Sequence, residues 1–265
     1  MHARPNSIGA TLSVLNGVIL REFQVRYFKT KAAFIIELLE PVVLVAVLVV
    51  IFTYLGRRAP VGESNIQYFV TALMVLYTCL RSESYVRSGA RNTNLFQFNI
   101  VKPIDVFICR GIIESLTNIF IFALIIFVYF SINKNGLPFD YFDTIIPFFI
   151  AGVLGFSIGI INTIIIYHIP IYTFFWSIIS RALFFTSGKF FLVEQMPPSA
   201  QEFLYYNPIL HLVSWTRSGY YSEYNSTFLV PSFPIGMTLV LLFVALFLER
   251  TFRRKIVSGT RFLPV

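Results

Sequence analysis

Long runs of apolar residues alternate with short polar segments along most of the chain. Six of these runs approach the ~20 residues that a helix needs to cross a bilayer, although the second and the sixth are marginal. The predicted spans are residues 34–55, 66–80, 106–132, 144–167, 171–187 and 233–248. The pattern therefore predicts an all-α integral membrane protein with six transmembrane helices.

The first 31 residues precede these spans and have their own pattern. One helical face of this segment carries the apolar residues Ile8, Leu12, Leu15, Ile19 and Phe23. Basic residues follow, which is typical of an amphipathic helix lying on the cytoplasmic leaflet. A helix packed against the bundle fits the same pattern. Residues 32–265 then form the six-helix transmembrane domain.

A polar stretch at residues 91–105 separates the second and third spans. Phe96 begins a series of apolar residues at helical spacing, and Pro103 disfavours helix at the residue before it. Asp105 can cap the helix that follows. We interpret the stretch as a short cytoplasmic helix that presents Phe96 and Phe98 to a partner protein. An interfacial helix resting on lipid is equally compatible with the pattern.

Residues 188–230 form an external segment in which apolar and aromatic residues alternate with prolines and acids. Ser199 with Glu202 matches a capping box, and Asn207 followed by Pro208 is a second helix start. Irregular backbone at membrane depth must be buried in protein or line a wet cavity. We therefore predict two short re-entrant helices here.

Composition and charge support this interpretation and give it an orientation. The chain is 56% hydrophobic and 13% charged, with a mean hydropathy of +0.73, whereas a soluble domain is about a quarter charged. Lys and Arg concentrate in the N-terminal segment, in residues 81–110 and in the C-terminal tail. This bias places both termini in the cytoplasm. It also accounts for the net charge of +8 without a nucleic-acid partner.

Two basic residues are candidates for a substrate path. Arg181 lies well inside the fifth span and Lys189 lies just past its outer end, two turns away and so on the same face. The alternative for Arg181 is an ion pair with an acid such as Glu114, which in turn could pair with Arg110. Aromatic side chains could stack on sugars, although packing or lipid contact explains each of them as well. These are Tyr77, Tyr85, Tyr172, Trp176, Phe184 and Phe185.

Other kinds of chemistry find little support in the sequence. Gly188-Lys189 lacks the upstream glycine of a phosphate-binding loop, so we expect no ATP site in this chain. No His or Cys spacing fits a metal site, and no catalytic residues stand out. Glu37 and Glu40 could form a proton-binding pair, as in a proton-coupled carrier, or could simply complement the helix dipole. An intramembrane sugar or acyl transferase would need a clustered site that the sequence does not offer.

The order of several short motifs resembles the ABC-2-type polysaccharide exporters, closest to the membrane subunit of capsular polysaccharide exporters in Gram-negative bacteria. The motifs are Arg21-Glu22 through Arg26-Tyr27, Leu39-Glu40-Pro41, Val101-Lys102-Pro103-Ile104-Asp105, and a series of motifs within residues 184–221. The likeness covers nearly the whole chain. It implies an inner-membrane permease that exports a lipid-linked acidic polysaccharide. O-antigen, teichoic acid or a small molecule is the alternative cargo on the same scaffold.

The resemblance also implies partners and roles. The protein would be a homodimer that binds two copies of an ATPase, with ATP and Mg²⁺ held there and no cofactor in this chain. A periplasmic adaptor and an outer-membrane exporter would complete the system. A coupling helix at residues 91–103 would contact the ATPase through Leu95, Phe96, Phe98, Asn99, Lys102 and Pro103. An external gate would include Pro197, Pro198, Asn207, Pro208, His211, Trp215 and Arg217.

Overall fold

A computed structural model of the chain describes residues 8–27, 31–89 and 101–259. Within these ranges the chain forms nine α-helices, one short 3-10 helix and no β-strand. In chain order the elements are α1 Ile8–Tyr27, α2 Lys31–Tyr54, α3 Asn65–Gly89, α4 Pro103–Asn133, α5 Tyr141–His168, α6 Tyr172–Thr186, the 3-10 helix Val193–Gln195, α7 Pro198–Leu204, α8 Pro208–Tyr220 and α9 Ser232–Gly259. A helix is therefore present at each of the six positions predicted from the apolar runs.

Three helices within the described residues are long and apolar enough to cross a membrane. They are α4, α5 and the part of α9 from Ser232 to Arg253. The α2 helix adds a shorter apolar stretch, Leu38–Tyr54. The α3 and α6 helices fall short because α3 is too polar and α6 has only 15 residues. The all-helical membrane class is thus confirmed, whereas the count of six spans stays a prediction.

The α3 helix lies at the centre of the bundle despite its polar residues. It packs against α2, α4, α5 and α8, and its residues from Tyr68 to Leu76 are buried. Lipid tails are as apolar as leucine, so a polar helix is stable only when other helices surround it. The same burial explains why α3 continues to Gly89, beyond the end predicted at residue 80. Ser82 and Glu83 lie inside the protein.

Glycines of α5 allow this helix to approach α3 closely. A Cβ atom on Gly155 would lie 2.1 Å from the backbone oxygen of Cys79, and one on Gly159 would lie 2.8 Å from that of Glu83. Small residues four apart are typical of helix contacts in membranes. Asn162, about one turn further along, donates a hydrogen bond of 2.8 Å to the Glu83 carboxylate. The two helices therefore meet through backbone contact and a buried polar bond.

The α1 helix packs against the bundle. Val18 is 4% exposed and lies in one apolar cluster with Leu15 of α1 and with Val106 and Cys109 of α4. This confirms the expectation that the N-terminal segment forms a helix packed against the bundle. Phe23, predicted on the same face, is largely exposed instead. Whether α1 also rests on the leaflet stays a prediction.

Asp105 caps the start of α4, as predicted, but from the third position of the helix and not as the residue that precedes it. Lys102 is the extended residue before the helix and Pro103 occupies its first position. The Asp105 carboxylate accepts a hydrogen bond of 2.9 Å from the backbone N–H of Lys102. This satisfies a donor that the helix itself leaves unpaired.

Candidate functional site: an ion-pair cluster and an external pair of cavities

A buried ion-pair cluster joins α1, α3 and α4. Arg110 of α4 donates a hydrogen bond of 2.9 Å to Glu22 of α1, and Arg26 of α1 pairs with Glu114 of α4. The ring of Tyr85 of α3 lies 4.2 Å from the Arg26 guanidinium and 4.6 Å from that of Arg110. Glu22, Arg110 and Glu114 are nearly inaccessible to solvent. Each buried charge therefore depends on a specific protein partner.

The same cluster connects the helix ends that flank residues 90–102. Arg110 donates a hydrogen bond of 2.7 Å to Ser88 Oγ and one of 3.1 Å to the backbone oxygen of Tyr85. Ser88 is the next-to-last residue of α3, and Arg110 lies about two turns into α4. The cluster thus fixes α1 to both ends of the predicted coupling segment. Four residues of this segment that are predicted to contact the ATPase lie outside the described residues, namely Leu95, Phe96, Phe98 and Asn99.

Two ion pairs predicted from the sequence are not formed. Arg110 does not pair with Glu114, because each of them has its own partner on α1. Arg181 cannot use Glu114 for the same reason, and its side chain is exposed on α6. Tyr85 contacts the guanidinium groups of the cluster, and its role on a substrate path stays a prediction.

Glu40 belongs to a separate ion pair between α2 and α3. Its carboxylate lies 2.6 Å from Arg81, whose guanidinium is 5.5 Å from the Tyr77 ring. The side chain of Glu37, its predicted partner in proton binding, lies outside the described residues. The cation beside Glu40 favours a structural role for this acid. In the part of the chain that the structure describes, no group of His, Cys, Asp or Glu residues could hold a metal ion.

Arg217 of α8 is buried within the segment that the sequence predicts to be external. It is 2% exposed and donates a hydrogen bond of 2.9 Å to the backbone oxygen of Gly188. Its guanidinium lies 4.0 Å from the ring of Tyr68 of α3. Arg217 thereby fastens α8 both to α3 and to the turn that follows α6.

Lys189, next to that turn, is enclosed by aromatic rings. Its side chain is 0% exposed, and its Nζ lies over the Phe184 ring and 4.7 Å from the centre of the Phe190 ring. Phe185 is 5.5 Å away. Burial lowers the pKa of Lys189 from 10.5 to about 7.

The predicted common face of Arg181 and Lys189 is wrong. The α6 helix ends at Thr186, and Gly188 adopts a φ of 75° that turns the chain. Helical periodicity therefore does not extend to Lys189. One cation is exposed on α6 while the other is buried within the protomer.

The two short external helices exist, but only one has the predicted cap. The Asn207 side chain accepts a hydrogen bond from the first turn of α8 and donates one of 3.0 Å to Thr186 Oγ1. Pro208 occupies the first position of α8, as predicted. The capping box at Ser199 is wrong, because α7 already begins at Pro198 after the extended Pro197.

Further candidate gate residues hold α8 in place. His211 is fully buried, with its Nε2 2.9 Å from the backbone oxygen of Tyr205 and its ring stacked 4.6 Å from that of Phe228. Burial lowers the pKa of His211, so the ring stays neutral at physiological pH. Trp215 donates a hydrogen bond of 3.2 Å to Asp143 at the start of α5. These contacts position the external segment against the bundle.

Two cavities adjoin this external segment. An apolar cavity of about 540 Å³ lies between α5, α6, α7, α8 and α9, and the aromatic candidates Tyr172 and Trp176 line it. A more polar pocket of about 710 Å³ lies outside α7. Phe203 and Tyr206 line both.

Comparison with known families decides what kind of protein this is. The family model described as ABC-2 type transporter matches residues 15–221. The chain belongs to the ABC-2 type transporter family. The matched residues run from the middle of α1 to the end of α8, and so include the ion-pair cluster and the buried external cations. The ABC-2 protein is therefore a membrane transport protein.

Relatives of this ABC-2 protein cover almost its whole length. It is 25% identical over 239 residues to the polysialic acid transport protein KpsM of Escherichia coli, which is 89% of this chain and 92% of the relative. It is 24% identical to the capsule polysaccharide export inner-membrane protein CtrC of Neisseria meningitidis over 88% of each chain. It is 24% identical to the capsule polysaccharide export inner-membrane protein BexB of Haemophilus influenzae over 91% of each chain.

Sequence reasoning did not assign partners to Glu22 and Arg26. A signal was present, because two opposite charges four residues apart interrupt the apolar pattern of α1. Each charge nevertheless bonds to α4 rather than to its neighbour on α1. The motif Arg21-Glu22 through Arg26-Tyr27, which carries part of the family resemblance, therefore contains the residues that α1 contributes to the ion-pair cluster.

Proposed function

We propose that this ABC-2 protein is the permease subunit of an ATP-driven exporter that moves lipid-linked, acidic capsular polysaccharide across the inner membrane. The observation that carries the proposal is the agreement among its relatives. Proteins from three bacterial species, each named for capsule or polysialic acid transport, match 88% to 91% of this chain. The match leaves little of the chain for a different activity.

The permease would work with a separate ATPase that binds ATP and Mg²⁺. Two copies of the ATPase would bind a permease homodimer, and a periplasmic adaptor and an outer-membrane exporter would extend the path outwards. The coupling helix at residues 91–103 would contact the ATPase. The ion-pair cluster supports this role, because a rigid connection among α1, α3 and α4 can transmit movement of that segment into the bundle.

The exposed face of α6 supports a dimer. Phe174, Phe175 and Ile178 are exposed there, and so is Arg181. An Arg at membrane depth is retained only when it faces protein or water. A second protomer, or a water-filled path between two protomers, would satisfy Arg181. In this arrangement six helices of each chain span the membrane, with both termini in the cytoplasm as the Lys and Arg bias indicates.

Deletion of the gene in its own host tests the proposal. Loss of the permease should leave capsular polysaccharide inside the cell, detected by antibody or lectin binding after lysis but not on intact cells. A plasmid copy of the gene should restore surface polysaccharide. Normal surface polysaccharide in the deletion strain would contradict the proposed function.

A further inference from the structure

A further cavity lies on another face of the bundle, between α4, α5 and α9. It is a groove of about 310 Å³ that opens to the outside, because Ile112 and Leu116 of α4 and Val153 of α5 are exposed there. Leu242 of α9 lines its other side. From Ile108 to Leu116 the groove follows α4 for about 12 Å at the rise of an α-helix. No residue of α6 lines it, so a dimer formed through α6 need not cover it.

The groove accepts only apolar groups. In the described part of the chain, the residues that line it carry no charge, and its one hydroxyl group, Ser115 Oγ, donates a hydrogen bond of 2.8 Å to the backbone oxygen of Gly111. Gly152 lines the groove as well, and a Cβ atom there would lie 2.1 Å from Ser115 Oγ. The α4 and α5 helices therefore meet closely beneath it. An apolar, concave surface of this kind suits a hydrocarbon chain.

Two cations lie on α9 beyond one end of the groove. Arg250 and Arg253 follow Leu242 by eight and eleven residues, which places them on the same side of α9. Arg253 lies about 16 Å along the helix axis from Leu242. Half of the ~30 Å hydrocarbon core of a bilayer is about 15 Å. A lipid whose acyl chain fills the groove would therefore have its headgroup at the level of these cations.

Both cations can contact an anion. Arg250 is exposed. Arg253 is 35% exposed and donates hydrogen bonds of 2.9 Å and 2.7 Å to Glu249 through Nε and Nη2, which leaves Nη1 to donate elsewhere. The acids nearby are engaged, because Glu249 is buried beside Arg253 and Asp105 accepts the cap bond from the N–H of Lys102. Guanidinium groups bind phosphate well, and basic residues next to a membrane helix attract anionic headgroups.

We propose that this groove binds an anionic phospholipid of the bilayer, with one acyl chain between α4 and α9 and its phosphate beside Arg250 and Arg253. In the orientation proposed above it is a lipid of the cytoplasmic leaflet. The ligand is a membrane lipid and not the transported cargo, so the inference goes beyond the proposed function. The bound lipid would strengthen the contact of α9 with the start of α4, where Leu248 and Phe252 lie in one apolar cluster with Phe107.

The test uses the full-length protein in nanodiscs and two phospholipid probes with the same photoreactive acyl chain. One probe is a phosphatidylglycerol, which is anionic, and the other is a phosphatidylcholine, which has no net charge. Labelled peptides are identified by mass spectrometry. The phosphatidylglycerol probe should label α4 and α9 at the groove at least about fivefold more strongly, because each basic residue near a membrane surface strengthens binding of an anionic lipid by roughly that factor.

Tryptophan variants test the groove itself. Val153→Trp and Leu242→Trp place an indole on lining positions. Labelling of the groove by both probes should fall roughly tenfold or more when about two methylene groups are kept out, because each weakens binding roughly fourfold. The matched controls lie on the same helices: Ile146→Trp and Val240→Trp alter exposed residues that do not line the groove, and they should label like the parent protein.

A second pair of variants tests the headgroup. Arg250→Gln should lower labelling by the phosphatidylglycerol probe about fivefold and leave labelling by the phosphatidylcholine probe unchanged. Arg57→Gln removes an exposed cation that follows α2 and does not line the groove. It should change labelling by neither probe.

Three results would overturn the proposal. Equal labelling of the groove by both probes would mean that membrane lipid fills it without regard to charge. Equal effects of the lining and control tryptophans would place the probe elsewhere on the protein. Absence of labelling, together with cysteine crosslinks from position 242 to a second copy of the chain, would show that protein covers the groove.

Discussion

The close contact between α3 and α5 gives a prediction that can be worked out from the structure. A Cβ atom on Gly155 would lie 2.1 Å from the Cys79 backbone oxygen, whereas ordinary contact begins at 3.4 Å. Backbone atoms cannot rotate away as a side chain can. Gly155→Ala therefore requires the two helices to separate locally by about 1.3 Å.

That separation would also break polar bonds between the helices. The 2.8 Å bond from Asn162 to Glu83 and the 3.1 Å bond from Ser82 to the Gly152 carbonyl would both exceed hydrogen-bonding distance. Overpacking costs about 1–3 kcal/mol and each lost interhelical bond about 0.6 kcal/mol, so the total is roughly 2–4 kcal/mol. The expected fall in Tm is about 9 °C.

The assay is size-exclusion chromatography of heated, detergent-solubilised protein. Gly159→Ala should lower Tm less, because its Cβ would lie 2.8 Å from the Glu83 oxygen. Gly236→Ala is the matched control, since nothing lies within 4 Å of its added Cβ, and alanine favours helix there. If Gly155→Ala and Gly236→Ala melted at the same temperature, the close approach of α3 and α5 would not be a determinant of stability.

Four further predictions concern charges and coupling. Arg110→Met should destabilise the protein by about 3–5 kcal/mol because it removes a guanidinium bonded to the buried Glu22 carboxylate. Arg110→Met with Glu22→Met should recover much of the membrane accumulation, and no recovery would mean that the pair is not coupled. Between about pH 7 and 10.5, its pKa values in the folded and unfolded chain, Lys189 binds more protons when the chain is unfolded, so its contribution to stability should rise with pH, and the Tm of the parent protein relative to that of Lys189→Met should rise across this window. Arg181→Gln should reduce polysaccharide export but not assembly with the ATPase, with Arg181→Lys retaining much of the export; failure of Arg181→Gln to accumulate would make the residue structural. Phe98→Ala should leave the permease inserted and weaken its complex with the ATPase by ~2 kcal/mol or more, as measured by co-purification. Unchanged binding would favour the alternative in which residues 91–105 form an interfacial helix that rests on lipid.

Hydropathy along the chain predicts where the helices lie, but it does not predict which helices pack against one another. Apolar runs determine where α4, α5 and α9 lie, because hydropathy is a property of consecutive residues. The central position of α3 follows from which helices surround it, so its end was placed at residue 80 instead of Gly89. The sequence pattern could not show that Ser82 and Glu83 are buried.

Partner choice between distant residues was the main limit for the candidate site. Glu22 and Arg110 are 88 residues apart, as are Arg26 and Glu114. The i, i+4 spacing of Arg110 and Glu114 predicted an ion pair within α4, because the sequence shows spacing along one helix but not contacts between helices. Lys189 illustrates the same limit: the pattern continued a helix to it, although Gly188 was available as a turn signal.

The central position of α3 has a consequence for how the protein enters the membrane. This helix contains Arg81, Glu83 and Arg87, and such residues oppose insertion of an isolated helix. During synthesis it emerges before α4 and α5, the helices that later surround it. We therefore expect α3 to become stable in the membrane only when α4 and α5 have been made, so that these three helices insert as a group.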